Sequence, residues 1–458
     1  MGPEGRRLLG QSLNGRPIFE PRPTHSLMLA AAGGGKTTGG AMVWLQSMLA
    51  DHSRGIIFPD SKDGEVAAQA SRMCADHGRE VAIIDDFNRL DNHPLRVSLN
   101  PFGGLVAAHT RSENELLFSA ENANHALIEE PIGDSKNRYW RASPRSFVEF
   151  AERSLLGRNA VLATPGGVWS LLADPDVFGD ALEIEAEEGA EPLRSQARNI
   201  LSLRRAVPDH FAQHLDAALE CLRLFEAGSV LHEVGRDADT SHLELLQKNA
   251  IVFLVGPQRH MDRLGAYYAL HLQSFLEAQL TGLAGDTDFI LDEFTNAPLK
   301  TLVSKLTTMR AYGGRCHMIA QSRSEIERKY GEKETVTIEE NAIVKQWMGF
   351  SSFEEAERVS KAMGEVQNVS DSMGLNSDKM DFSGNWSTGR ERLMSAEELM
   401  RLPSDEQIIH VKDVGFIRCK KVRQNEVGPY CFELKDNPLE GGRLEPDPKI
   451  TLPTNAKE

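Results

Sequence analysis

The sequence predicts an α/β fold, a parallel-rich sheet interrupted by an all-α insertion, and three observations point to it. Near the N-terminus short apolar runs alternate with helical stretches, in the order βαβαβ. The same alternation returns after about residue 246. Between the two, from Gly104 to Leu245, no run has strand character, and apolar residues recur at spacings of three and four.

In chain order, "HSLMLAAA" is the first clear strand, a short buried run that leads into "GGGKTTGGAMVWLQSMLA". There Met42, Leu45, Met48 and Leu49 fall on one helical face. The junction fits GxxxxGK[ST], in which backbone amides wrap phosphate groups at a helix N-terminus while a lysine reaches the outer ones. Gly35, Lys36 and Thr37 match, and Ala30 stands where the pattern has its first glycine. The candidate phosphate-binding residues are Ala32, Gly33, Gly34, Gly35, Lys36, Thr37 and Thr38. Gly39 and Gly40 weaken the helix that follows by about 1 kcal/mol each. "RGIIFPD", the helical "DGEVAAQASRMCADHG" and "EVAIIDD" complete the first block, which "SLNPFGG" breaks.

The sheet pattern resumes with "NAIVFLVGP", followed by a helix with Leu264, Tyr268, Leu272, Phe275, Leu276 and Leu280 on one side. "DFILDEF", "RCHMIAQS", "AIVKQWMGF" and "QIIHVK" are the later strands. Residues 365–389, rich in Ser, Asn, Gly and Asp, form a long loop or hairpin. The expected organisation is a nucleotide-binding domain in two parts, residues 1–103 and 246–437, an all-α insertion domain over 104–245, and a flexible tail over 438–458.

A net charge of −16 supplies no global positive field, so any contact with a polyanion needs a local basic ring or groove. Five scattered cysteines without CxxC pairs suit reduced thiols in a cytosol, and Cys74 and His77 lack the second ligand pair that zinc needs. No run approaches the ~18 apolar residues that span a bilayer, and the first fifteen residues lack the apolar core of a signal peptide. The expectation is a cytoplasmic, soluble chain.

A phosphate loop binds but does not by itself hydrolyse, since Mg²⁺ must be anchored and a water positioned. "DFILDEF" offers both. Asp292, ending an apolar strand, can hold Mg²⁺ together with the hydroxyl of Thr37, and Glu293 can orient or deprotonate the attacking water. Gln321 ends another strand, where a neutral amide can sense the outer phosphate. Arg310 lies after the helix that follows the acids, a position where an arginine ordinarily meets solvent and the helix dipole.

Taken together, the phosphate loop, "FPDSKDGE", "SLNPFGG", "LDEF" with "MRAYGGR", "IAQSRSEIERKYG" and "RERLMSAEELMRLPSDEQIIHV" resemble the coupling-protein ATPases of type IV secretion and conjugation, the TraG/TraD class, over about residues 24–435. The resemblance implies a RecA-like domain with an all-α insertion, ATP and Mg²⁺ as cofactors, and a homo-oligomeric ring, usually a hexamer. It also implies partners: DNA, most often single-stranded, a relaxase or effector cargo, and a membrane-bound channel component that recruits the chain to the inner membrane. By motif matching it makes Lys36 and Thr37 ligands of phosphate and Mg²⁺, Asp292 and Glu293 the acidic pair, Gln321 the sensor and Arg310 an arginine reaching a neighbouring subunit's site. Asp60 and Lys62 match a second-strand motif without an assigned step. Against the family pattern, Ala30 replaces glycine and the N-terminal membrane anchor is missing, so a form without that anchor is expected. Two other functions compete: an effector-protein receptor that never handles nucleic acid, and a general FtsK-like or HerA-like DNA pump.

Overall fold

The apolar run before the glycine loop does form a strand, and it sits in the interior of the sheet. The structure, a computed structural model, describes residues 5–31, 33–128, 137–261, 263–296, 299–375, 382–439 and 441–453. In chain order the strands are β1 (Leu8–Gln11), β2 (Pro17–Phe19), β3 (Ser26–Leu29), β4 (Arg54–Asp60), β5 (Val81–Ile84), β6 (Ile251–Val255), β7 (Asp286–Leu291), β8 (Gly314–Ala320) and β9 (Val344–Trp347), then β10 (Glu365–Leu375), β11 (Phe382–Arg392), β12 (Glu406–Val411) and β13 (Gly415–Lys420). An 11-stranded sheet runs β2-β1-β13-β12-β9-β3-β8-β7-β4-β6-β5. From β9 to β5 every neighbouring pair is parallel, as expected for strands that read as continuous apolar runs and are covered on both faces. β12, β13, β1 and β2 extend it as an antiparallel wing.

Alternation along β3 divides the core. Met28 faces one layer, built with helices α1 (Met42–Met48) and α2 (Glu65–Asp76), while Leu27 and Leu29 face the other. That second layer is continuous with the middle of the chain. Leu27, Leu29 and Ile57 belong to the same apolar cluster as Leu116, Phe147, Phe178 and Ile200. Between Gly103 and Gln247 the described residues form helices and turns with no strand. Local signals divide them: Ser112 accepts from Glu115 N, Thr164 precedes Pro165 and accepts from Gly167 N, and Asp174 precedes Pro175 and accepts from Asp176 N and Val177 N. The helical region thus packs onto one sheet face and shares its core.

One expectation needs revision. The C-terminal residues expected to be a flexible tail are docked as far as Pro453: Ile450 pairs with Val427, and Ile450 and Leu452 are buried beside α1 and α2. Burial of two apolar side chains outweighs the prolines around them. The sheet also carries the antiparallel wing, whose strands β1, β2 and β13 are short or only half-buried. Of residues 365–389, those described, 365–375 and 382–389, lie in the antiparallel pair β10 and β11.

A buried polar chain ties the inner strands together. Arg7 donates to Ser26 Oγ (2.7 Å), Ser26 to His317 Nδ1 (3.1 Å), and His317 Nε2–H to Asp288 (2.8 Å). Arg54 adds a bond to Asp288 at 3.2 Å. Burial, with Arg7 nearby, pushes the His317 pKa down to about 3, so the ring is neutral. Burial alone would raise the Asp288 pKa, but the His317 hydrogen bond and the guanidinium groups of Arg315 and Arg54 hold it well below the usual carboxylate range. β4, β7 and β8 are therefore cross-linked by one ionised carboxylate. Asp288→Asn should lower unfolding free energy by about 3 kcal/mol, because it leaves buried guanidinium charge uncompensated. Since the folded pKa is depressed, this contribution is complete above pH ~4 and lost as pH falls further. Urea denaturation between pH 3 and 7 should show a steeper acid loss in the parent than in the variant.

Candidate nucleotide site

The glycine loop leaves β3 at the C-terminal edge of the parallel strands. Ala30 N donates to Ala320 O and Gly34 N to Ala31 O, which fixes the loop against β8. Gly33 (φ +73°) and Gly35 (φ +85°) take left-handed conformations that favour glycine. Ala30 needs no such freedom: its φ is not positive and its methyl group is fully buried in the α1 layer. Gly39 and Gly40 allow close packing, since a Cβ on Gly40 would lie 2.8 Å from Met28 Sδ and one on Gly39 3.2 Å from Val422 O. The helix tolerates two glycines because every residue of α1 is buried against its neighbours. Ala32 lies outside the described residues.

Four of the expected residues meet. Lys36 Nζ donates to Glu293 Oε1 at 3.1 Å, and Thr37 Oγ1 to Asp292 Oδ2 at 3.1 Å. They come together because β8 alone separates β3 from β7, so both strand ends open on one edge. Asp292 is buried, and its Oδ1 has no hydrogen-bond partner among the described residues. A buried acceptor with no donor, beside a threonine hydroxyl, fits a hydrated Mg²⁺ bound there with nucleotide. Glu293 has φ +53°, an uncommon conformation for a non-glycine residue, in a turn closed by Asn296 N donating to Glu293 O. Asn296 Nδ2 also donates to Glu293 Oε2 at 2.9 Å. Burial opposes ionisation of Glu293, but Lys62 and Lys36 outweigh it and hold its pKa below the usual range.

Lys62 is the member of this cluster whose role the sequence left open. Its Nζ lies 3.0 Å from Thr37 Oγ1, 3.4 Å from Asp292 Oδ2 and 3.7 Å from Glu293 Oε1. Asp60 holds no site group: its carboxylate accepts from Val66 N and Ala67 N (2.9 and 2.8 Å) and so fixes the first turn of α2 beneath Lys62. Two further cations had no spacing to mark them. Lys421 and Arg423 line a cleft of about 460 Å³ that opens beside Gly33, Gly35 and Thr38.

Gln321 follows β8 beside the loop, with an exposed side chain and its N–H donating to Glu325. Arg310 is not brought in. It is exposed, in the turn before β8, and the seven residues of β8, roughly 20 Å of strand, separate that end of the sheet from its own phosphate loop.

Comparison with known proteins adds three findings. A family model described as the TraM recognition site of TraD and TraG matches residues 286–404. Protein VirD4 of Rhizobium radiobacter is 23% identical over 269 residues, which are 57% of this chain and 38% of that protein, so the chain spans well under half of this relative. Two solved structures of the conjugative coupling protein TrwB align over most of both chains at 16% identity. The unbound form lacking its first 70 residues gives a TM-score of 0.67, covering 90% of this chain and 89% of the other. The complex with ADP and Mg²⁺ gives 0.64, covering 91% and 89%. These structures share the RecA-like α/β fold with its helical insert. No helix among the described residues is long and apolar enough to cross a membrane. In a matched family region, in sequence relatives and in fold, the chain is similar to coupling proteins of the TraD/TraG/VirD4 type.

Proposed function

We propose that this chain is the ATP-hydrolysing motor of a conjugation or type IV secretion apparatus, one subunit of a ring that moves DNA or a protein–DNA complex toward a membrane channel. The observation that carries the reading is the meeting of Lys36, Thr37, Asp292 and Glu293 at one sheet edge, with Asp292 Oδ1 left unpartnered.

The amides from Gly33 to Thr38 surround the phosphates, and Lys36 leaves Glu293 to pair with the outer ones. Thr37 and Asp292 would hold Mg²⁺, which would supply positive charge to offset that developing on the outer phosphates. Glu293, freed from Lys36, orients the attacking water. Gln321 senses the outer phosphate from the neighbouring strand. Residues 286–404 bind a TraM-like partner, residues 104–245 form the insertion domain that recognises cargo, and a membrane-bound partner recruits the ring to the inner membrane. A net charge of −16 favours a second reading, a receptor for effector proteins that does not handle nucleic acid. The two separate by ATPase rate with and without single-stranded DNA across a salt series. The first predicts a stimulation that fades as salt rises, because phosphate contacts release counterions, and the second predicts none.

Glu293→Gln should retain binding of Mg·ADP while turnover falls by about 10²–10⁴. Lys36→Ala should lose binding as well, and near-normal hydrolysis in either would remove that residue from the mechanism. Arg310 faces away from its own site, so its use is in a neighbour's. Arg310→Ala should bind ATP and assemble normally but lose about 10³-fold or more in rate. Mixing it with Lys36→Ala subunits should restore activity at interfaces where an intact arginine faces an intact loop. Mixed rings that stay inactive would contradict action between subunits.

A further inference from the structure

Lys62 engages the groups a metal ion would use. The Thr37 hydroxyl gives its hydrogen to Asp292 Oδ2, which leaves its oxygen lone pairs as the only way to bind a cation, and one of these accepts from Lys62 Nζ at 3.0 Å. The same ammonium lies within 4 Å of Asp292 and Glu293. Its fourth neighbour, Glu65 at 3.8 Å, lies in the first turn of α2. The backbone that carries it is held firmly. Asp60 fixes α2, Asp63 N donates to Gly256 O, and Arg89 pairs with Asp63 at 2.8 Å. Asp63 (φ +53°) and Gly64 (φ +75°) set a tight turn directly after Lys62. Only the lysine side chain is free to move, and its flexible stem lets the ammonium withdraw from Thr37 while Glu65 still faces it.

We propose that the Lys62 ammonium holds the metal's place in the nucleotide-free site and gives it up when Mg²⁺ arrives, so that nucleotide binding depends less on the metal than it would without this lysine. The inference rests on the nucleotide reading of the site and deepens it. A cation at this position keeps Thr37, Asp292 and Glu293 in their working arrangement before the ligand enters, where otherwise two carboxylates would face each other with Lys36 alone between them. With nucleotide but no metal, the same ammonium can face the phosphates. Lys62 is thus a positioning residue for the metal site, and its signature is metal dependence of binding.

The test uses a fluorescent ADP analogue, titrated into the whole chain with Mg²⁺ or with EDTA. The parent should bind with affinities that differ by about threefold or less between the two conditions, because a cation is present in both. In Lys62→Met the affinity in EDTA should fall about tenfold or more while that in Mg²⁺ changes little, so the ratio of the two rises. Lys62→Arg should keep the parent's ratio. Lys62→Gln, which also loses the charge but keeps a polar end, guards against a folding defect in the methionine variant and should match its ratio. An unchanged ratio in Met and Gln variants, whether both affinities fall together or neither falls, would overturn the inference and leave Lys62 an ordinary phosphate ligand or a bystander. So would a parent as dependent on Mg²⁺ as the variants. If the parent binds the analogue in neither condition, the nucleotide reading itself fails, and this inference with it.

Discussion

Two ammonium groups and two carboxylates lie within bonding or ion-pair distance of one another at a single edge of the sheet, and the rest of the molecule is arranged to hold them there. Asp292 and Glu293 come some 255 residues after Lys36 and Thr37 in sequence. Only parallel strands, with β8 between β3 and β7 and with β4 beside β7, bring three separate loops to one place. Each loop is then fixed by a local device: left-handed glycines after β3, an aspartate capping α2 after β4, and a left-handed glutamate after β7. Such a cluster is costly unless every charge has a partner, so the site is stable empty only in the paired form seen here. A ligand that offers phosphate oxygens to Lys36 replaces one set of partners with another.

The same strands are bound from within by the chain of polar groups from Arg7 to Arg54. Asp288 lies four residues before Asp292 on the same run, so the carboxylate that locks β7 to its neighbours also sets where the acidic pair emerges. The helical region between Gly103 and Gln247 adds to this rigidity, since its apolar side chains pack in the layer beneath β3 and β4. Movement there would reach the site through packed side chains, a physical route by which a bound partner could bias nucleotide chemistry.

How much of this was legible in sequence follows from how local each signal is. The phosphate loop and the acidic pair were readable because neighbouring residues carry them, and the helices of the middle region because apolar residues recur in them at spacings of three and four. Ala30 reads as a defect in the motif, yet in space it is a buried methyl group at a position with no need for glycine. Three strands of the antiparallel wing, β1, β2 and β13, were missed although β12 was read, since strands as short as Pro17–Phe19 are defined by the partner they pair with and carry no periodic pattern of their own. The docked C-terminal segment was missed for a related reason: prolines and charges dominate its composition, while two apolar residues decide its position. Lys62 could be noticed as part of a motif, but its chemistry depends on a distance to Thr37 that only the topology creates.

The nucleotide site proposed for this edge of the sheet requires its lysine–glutamate pair to open on loading. An experimentally determined structure of the chain with Mg²⁺ and ADP tests it most directly. The diphosphate is expected within the loop from Gly33 to Thr38, the metal at Thr37 and Asp292, and Lys36 Nζ moved from Glu293 to phosphate oxygen. A diphosphate bound elsewhere, or bound in the loop with the Lys36–Glu293 pair still at 3.1 Å, would contradict it.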